Sequence, residues 1–437
     1  MKVLKFGGTS VGSAERMKAV ADLIKNGESK IVVLSAMSGT TNQLVQIAEK
    51  LYQNKNQEAN AQIDALHDNY KQVVETLYTT SDKKKQANEL LSHHFDYIRA
   101  FTQDLFTIHE ERAILAQGEL LSTALFQFFL EEQQIRSVLL PALNFMKIDD
   151  NEEPDTDYIA KNLRSDLDKY PGVELFITQG YICRNAFGEI DNLKRGGSDY
   201  SASLIGAAAN ASEIQIWTDI DGMHNNDPRI VKNTYPIAEL SFDEAAELAY
   251  FGAKILHPSS VLPAKQKNIP VRLLNTMQPD AKGTLIKAET TGGPSIKAVA
   301  AKDDIVAIKI KSGRMLLAYG FLRSVFEVFE RYKTPIDMIT TSEVAVSITI
   351  DNDKYLQEIL TELKEFGQVE VDQEQTIICV VGDFIADRSG SGLKIFESLK
   401  NIPLRMISYG GSKNNISLLI NKTDKVEALN RLNEGIF

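Results

Sequence analysis

Apolar positions open the chain in a β-α-β-α rhythm. Val3-Leu4-Lys5-Phe6 is a short strand-like run, and behind a Gly-rich turn Met17, Val20, Ala21 and Ile24 recur at i, i+3, i+4 and i+7. That spacing places apolar groups on one helical face, and Ser13 stands at its N-cap position. Ile31-Val32-Val33-Leu34 is continuously apolar, as in a strand covered on both sides. After the polar stretch SAMSGTTN, Leu44, Ile47, Ala48 and Leu51 mark a second helix. The order predicts a parallel sheet. From about Ala59 to Phe129 the pattern is helical, rich in charge and free of Pro, so a helical layer is expected over about residues 59–130. Strand-like runs return at 138–140, 173–177, 214–217 and 271–274. Ser241 to Glu244 (SFDE) has the form of a capping box and opens a helix expected to reach Ile255 or Leu256.

TTGGPS, Thr290 to Ser295, is the best linker candidate. Beyond it the chain repeats itself. Gly320 to Ile350 and Gly392 to Ile420 each hold a helix, then Pro335 or Pro403, then Met and Ile, then an alternating strand. Val325, Val328, Phe329 and Tyr332 form one helical face, and Leu393, Phe396 and Leu399 the other. Two small βα modules are expected. The resulting division is a first domain over 1–290 and a second region over 291–437, with modules at about 305–375 and 376–437 and a segment near 296–310 shared between them.

Composition narrows the class. With 437 residues the chain is too long for one ordinary core. Apolar residues at 43% and charged residues at 24% indicate a globular protein. A formal net charge of −11 gives no basic footprint for nucleic acid. Cys183 and Cys379 are too few and too far apart for a disulfide framework or a thiolate metal site. The histidines show no metal spacing, so no protein-held metal is expected. No signal peptide is visible, and no apolar run reaches the roughly 20 residues that cross a membrane, so a cytoplasmic protein is expected.

The chemistry gathers in a few polar stretches. KFGGTSVG, Lys5 to Gly12, joins the first strand to the first helix. Backbone N–H groups at such a turn attract anions, glycines allow close approach and Lys5 adds a full charge. No P-loop or dinucleotide fingerprint is present, and the same glycines also suit an ordinary tight turn. LKRGGSDYSA (193–202) repeats this chemistry, with Asp199 in a first helical turn, where it also suits capping. WTDIDGMHNNDPRIV (217–231) is a polar loop behind an apolar strand, which is also how a solvated turn looks. FGAKILHP (251–258) sets Lys254 near a helix end, where a cation complements the dipole in any case.

Together with LSAMSGTTN and QGELLST, these stretches resemble the aspartate kinases of the amino-acid kinase superfamily, and the terminal repeat resembles their paired ACT modules. GFL at 320–322 and TTSEV at 340–344 further resemble the single-function, lysine-sensitive members. The resemblance implies an α/β fold: a three-layer αβα kinase domain with a mainly parallel sheet, followed by two ferredoxin-like (βαββαβ) ACT modules. It implies ATP with Mg²⁺ and L-aspartate as substrates, 4-phospho-L-aspartate as product, and a place at the start of lysine, threonine and methionine biosynthesis. Lys5, Gly7 and Gly8 would hold the transferring phosphoryl group, with Asp199 in the catalytic set. Thr41, Glu119, Arg195 and Asp199 would bind aspartate. Lys5, Thr218, Asp219, His224, Arg229 and Lys254 would meet the nucleotide, His224 standing where many relatives carry Tyr. L-Lysine would act as effector near Met315, Phe321, Leu322, Asp337, Ser342 and Glu343, with Ala318 replacing a frequent hydroxyl. A homodimer or homotetramer through the ACT modules is expected. Two other readings stand beside this one: another amino-acid kinase acting on glutamate derivatives, carbamate or a nucleotide, and an amino-acid sensor with a degenerate kinase domain.

Overall fold

The central strand of the first sheet is the first apolar run of the chain. In the computed structural model, which describes residues 1–103, 105–193, 196–252, 256–290, 295–313, 319–383 and 389–437, β1 (Lys2–Phe6) pairs in parallel with β2 (Lys30–Leu34). β3 (Val138–Leu140) and β4 (Leu175–Gln179) extend that side. β5 (Ile182–Arg184) and β6 (Ile190–Asn192) form a separate antiparallel pair. β7 (Ile214–Thr218), β8 (Glu239–Ser241), β9 (Val271–Asn275) and β10 (Thr284–Lys287) complete a sheet of order β3-β4-β2-β1-β7-β9-β10-β8. All its pairings are parallel except β9–β10.

The helices cover this sheet as their apolar faces dictate. α1 (Ala14–Ile24) buries Met17, Val20, Ala21 and Ile24, and Ser13 caps it by accepting from the Arg16 N–H. α2 (Thr40–Tyr52) buries Leu44, Ile47, Ala48 and Leu51. The expected helical layer is three helices, α3 (Asn56–Leu77), α4 (Ser81–Ala100) and α5 (Ile108–Glu132), joined to the same core. By length and composition α5 could cross a membrane, contrary to the expectation that no stretch is apolar over such a length. It is a core helix: 83% of its apolar window is buried inside the structure. α6 (Thr156–Asp168), α7 (Gly197–Ala208), α8 (Phe242–Tyr250) and α9 (Leu262–Gln266) follow. α8 stops short of the expected Ile255 or Leu256. Gly252 sits at φ +121°, outside helical space, and residues 253–255 lie outside the described residues.

The second sheet is built from β11 (Ala298–Lys311), β12 (Ile339–Thr341), β13 (Ala345–Ile350), β14 (Gln368–Val381), β15 (Met406–Tyr409) and β16 (Asn415–Asn421), in the order β12-β13-β11-β14-β16-β15. α10 (Phe321–Arg331), α11 (Leu356–Leu363), α12 (Ser391–Ser398) and α13 (Lys425–Ile436) pack on it around two apolar clusters. The two long strands serve both modules. The second half of β11 pairs with β13 and the start of β14, while its first half pairs with the end of β14 beside β16. Each module therefore closes as βαββαβ, the second taking its last strand from the segment that precedes the first.

The chain divides into two units. One holds Met1–Met223, Ala238–Phe242 and Leu256–Thr290; the other holds His224–Ile237, Asp243–Ile255 and Thr291–Phe437. Two stretches inside the first 290 residues thus group with the second sheet. Cys183 and Cys379 are free and buried, and burial pushes both thiols up from their ordinary range. Most of the linker candidate, 291–294, lies outside the described residues.

Candidate active site

The carboxyl ends of parallel strands are where open α/β sheets bind ligands, because the following turns and helix N-termini converge there. In the first unit the β1–α1 turn, the β2–α2 turn, α5 and the start of α7 enclose a cleft of about 510 Å³. Its size suits a small-molecule substrate. Gly8 makes the β1–α1 turn possible, since a Cβ there would lie 2.9 Å from the carbonyl oxygen of Ala36. Two helices start at the cleft with glycine N-caps and no side-chain cap: Gly39 before α2 and Gly196 before α7. Gly196 adopts φ +71°, and a side chain there would run into Ser260 Oγ. Thr40 N–H donates to the Met37 carbonyl and Asp199 N–H to that of Gly196, and helix starts without a side-chain cap are places that suit an anion.

Lys5 supplies the cation. Its Nζ lies 2.6 Å from Asp199 Oδ1, with both side chains largely buried. Asp199, in the first turn of α7, thus holds Lys5 at the mouth of the first βα turn. Gly7, Gly8, Thr41, Glu119, Thr218 and Asp219 line the same cleft. The Thr218 hydroxyl donates to Asp219 Oδ1 at 3.1 Å. Glu119, on α5, is 3% exposed; its Oε1 accepts from the Ala36 N–H at 3.1 Å, and its Oε2 has no partner among the described residues. Burial pushes the Glu119 carboxyl up to about 8, against the smaller opposing pull of backbone donors. A buried carboxylate with an orphaned oxygen at a cleft is a ready receptor for an ammonium group.

The expected nucleotide residues are divided between the two units, the cleft and its lining belonging to the first. His224 and Arg229 belong to the second unit. There the His224 ring nitrogen Nδ1 lies 3.0 Å from Thr234 Oγ1. Arg229 folds back on Asp227, with Nε to Oδ1 at 2.9 Å and Nη2 to Oδ2 at 2.7 Å, and this guanidinium holds the Asp227 carboxyl below its usual range. Arg195, Lys254 and Met315, like Ala318, lie outside the described residues.

Of the expected effector residues, Ser342 and Glu343 are exposed, and Phe321 and Leu322 open α10. The Asp337 side chain is fully buried and already has a cation, Lys302, at 2.8 Å.

Tyr181 also lines the cleft and was not singled out from the sequence. Its signal is conformational: it follows the apolar strand β4 at φ +65°, rare for a bulky residue. Ser35 and Ser198, whose hydroxyls bond at 2.8 Å, tie the β2–α2 turn to α7.

Residues 1–275 match the amino acid kinase family model, and residues 378–435 match an ACT domain model. The chain is 34% identical to lysine-sensitive aspartokinase 3 of Escherichia coli strain K12, covering 100% of this chain and 99% of that protein. It is also 34% identical to the chloroplastic aspartokinase 1 of Arabidopsis thaliana, covering 100% of this chain and 80% of that one. The crystal structure of E. coli aspartokinase III with aspartate and ADP, in the R-state, superposes with a TM-score of 0.85 at 33% identity, covering 100% of both chains. The T-state structure of that enzyme with lysine and aspartate gives 0.81 at 34% identity, covering 100% of this chain and 99% of that one. The chain belongs to the amino acid kinase family, with an ACT regulatory domain, and within that family to the aspartokinases.

Proposed function

We propose that the chain is an ATP-dependent aspartate kinase that makes 4-phospho-L-aspartate and ADP. The observation that carries this reading is Lys5, fixed by Asp199 where two uncapped helix N-termini meet. The nucleophile is the side-chain carboxylate of aspartate, whose ordinary pKa of about 3.9 leaves it ionised at neutral pH. No general base is needed. A carboxylate oxygen attacks the γ-phosphorus, the bond to the β–γ bridging oxygen breaks, and ADP departs with the electron pair. The difficulty is bringing one anion in line with another. Lys5, the amides of Gly7 and Gly8 and the helix N-termini offset that repulsion and stabilise charge as it spreads over the phosphoryl oxygens.

Glu119 receives the aspartate ammonium with Asp199 beside it, Arg195 pairs with a substrate carboxylate, and Thr41 contacts the substrate from the second βα turn. Thr218 and Asp219 face the adenosine side, and His224, Arg229 and Lys254 serve the nucleotide. Mg²⁺ enters with ATP, bound by phosphate oxygens and water; among the described residues no group of three acidic, His or Cys side chains stands ready to hold one. A coupled assay offering aspartate, glutamate and N-acetylglutamate with Mg-ATP tests the assignment. Turnover with aspartate alone is expected; turnover with another acceptor, or none, overturns it.

L-Lysine is the proposed effector, acting at the first ACT module near Met315, Phe321, Leu322, Asp337, Ser342 and Glu343. The sheet's edge strands β12 and β15 expose Ile339, Ile407 and Tyr409, which supports self-association into a homodimer or homotetramer through the ACT modules. Two free, buried thiols suit a reducing cytoplasm.

A further inference from the structure

Asp337 follows Pro335 and precedes β12, and its carboxylate is buried with its Oδ1 doubly engaged. It accepts from Lys302 Nζ at 2.8 Å and from the Tyr250 hydroxyl at 2.9 Å. Its Oδ2 is buried with no partner among the described residues. Lys302 also lies 2.8 Å from Asp351 and 4.5 Å above the Tyr250 ring. Burial and the neighbouring carboxylate push the Tyr250 hydroxyl up to about 12, so it stays a donor.

Tyr250 ends α8, a helix within the stretch matched by the kinase family model that nonetheless groups with the ACT modules. Three of its side chains bond there: Glu244 Oε2 to Lys297 Nζ at 2.7 Å, Glu247 to Asn415, and Tyr250 to Asp337. In sequence, Tyr250 stands four residues before Lys254, the cation assigned above to the nucleotide.

We propose that Lys302 is a built-in counter-ion that a cationic amino-acid effector displaces from Asp337, and that the Tyr250 hydroxyl passes this exchange to α8. The inference rests on the effector reading given above. An ammonium that takes the open Oδ2 sets a second cation on one buried carboxylate, and the repulsion between the two cations drives Lys302 away. Lys302 can yield because Asp351 keeps it paired when it turns away. When the Asp337 carboxylate turns to the new cation, its bond to Tyr250 is lost, and the C-terminal end of α8 is released while Glu244 and Glu247 still hold the rest. The effector's affinity is then set by how tightly Lys302 competes, and its inhibitory effect by Tyr250.

The test uses the full chain, with L-lysine as the probe, and measures lysine binding by calorimetry beside inhibition of aspartyl phosphate formation. Lys302→Met keeps the apolar stem and removes the competing charge; lysine should bind about ten-fold more tightly. Tyr250→Phe keeps the ring and removes the hydroxyl. Binding and activity without lysine should stay near wild type, while the activity that remains at saturating lysine rises by about ten-fold. Wild-type inhibition in Tyr250→Phe, or unimproved binding in a folded Lys302→Met, overturns the proposal and leaves the effector reading standing. Should Lys302→Met fail to fold, Tyr250→Phe decides alone. Wild-type protein that binds no lysine at millimolar concentration overturns both.

Discussion

At the scale of single residues, Glu119 makes the sharpest claim. With its carboxyl raised to about 8 by burial, the ligand-free protein keeps a proton there across most of the physiological range. An aspartate ammonium needs the carboxylate. The kcat/KM for aspartate should therefore rise with pH toward about 8, and Glu119→Gln should lose that rise while raising the aspartate KM by roughly 10-fold or more. Stability follows with a definite sign. The folded form holds a proton that the unfolded chain, titrating near 4.5, gives up, so this group lowers stability as pH climbs from about 4.5 to 8. Thermal melts should show wild type losing ground to Glu119→Gln across that window; parallel melting curves at all pH values would contradict the burial argument. Residue type and motif made Glu119, Lys5 and Asp199 legible in the sequence. Tyr181 was not legible, because its mark is a backbone angle. Nor was Lys302: it sits 35 residues from Asp337, and their pairing depends on where β11 brings it.

At the scale of elements, the start of α7 depends on Gly196. Gly196→Ala would place a methyl against Ser260 Oγ at a positive φ, so it should cost about 2 kcal/mol or more in a denaturant titration and raise the aspartate KM. An unshifted midpoint would show that the turn relaxes freely. The repeat in the tail was readable from its Pro-x-x-Met-Ile spacing and alternating strands. Its inversion of charge was not. Lys302 is the fifth residue of β11 and Asp372 the fifth of β14; Asp337 stands two residues after Pro335 and Arg405 two after Pro403. Lys302 pairs with Asp337 behind the first Pro, and Asp372 with Arg405 behind the second. Only the first module offers a carboxylate at this place, so calorimetry should find one lysine per chain. Two per chain would remove the carboxylate as the determinant. The sharing of β11 between modules also came only with the structure, because register between long strands is a tertiary property.

At the scale of the whole molecule, the units part at Thr290 and Thr291, where the linker candidate stands, but two stretches before it, His224–Ile237 and Asp243–Ile255, group with the second unit. Val231 joins an apolar cluster with Ile296, Ile378 and Val380, and Glu244, Glu247 and Tyr250 bond to Lys297, Asn415 and Asp337, which lie beyond 290. A fragment ending at 290 strips these partners and leaves Glu244, almost wholly buried in the intact chain, without its Lys297 cation. Such a fragment should be poorly soluble and inactive; a soluble, cooperatively melting and active one would show that the first unit stands alone. The central claim is that the first βα turn and its lysine perform the phosphoryl transfer. Trapping the acyl phosphate from aspartate and Mg-ATP as its hydroxamate, in wild type and Lys5→Ala at saturating substrates, tests this most directly. The wild type should form aspartyl hydroxamate and the variant should lose about 10²–10³-fold in kcat. Near-normal turnover by Lys5→Ala would contradict the account.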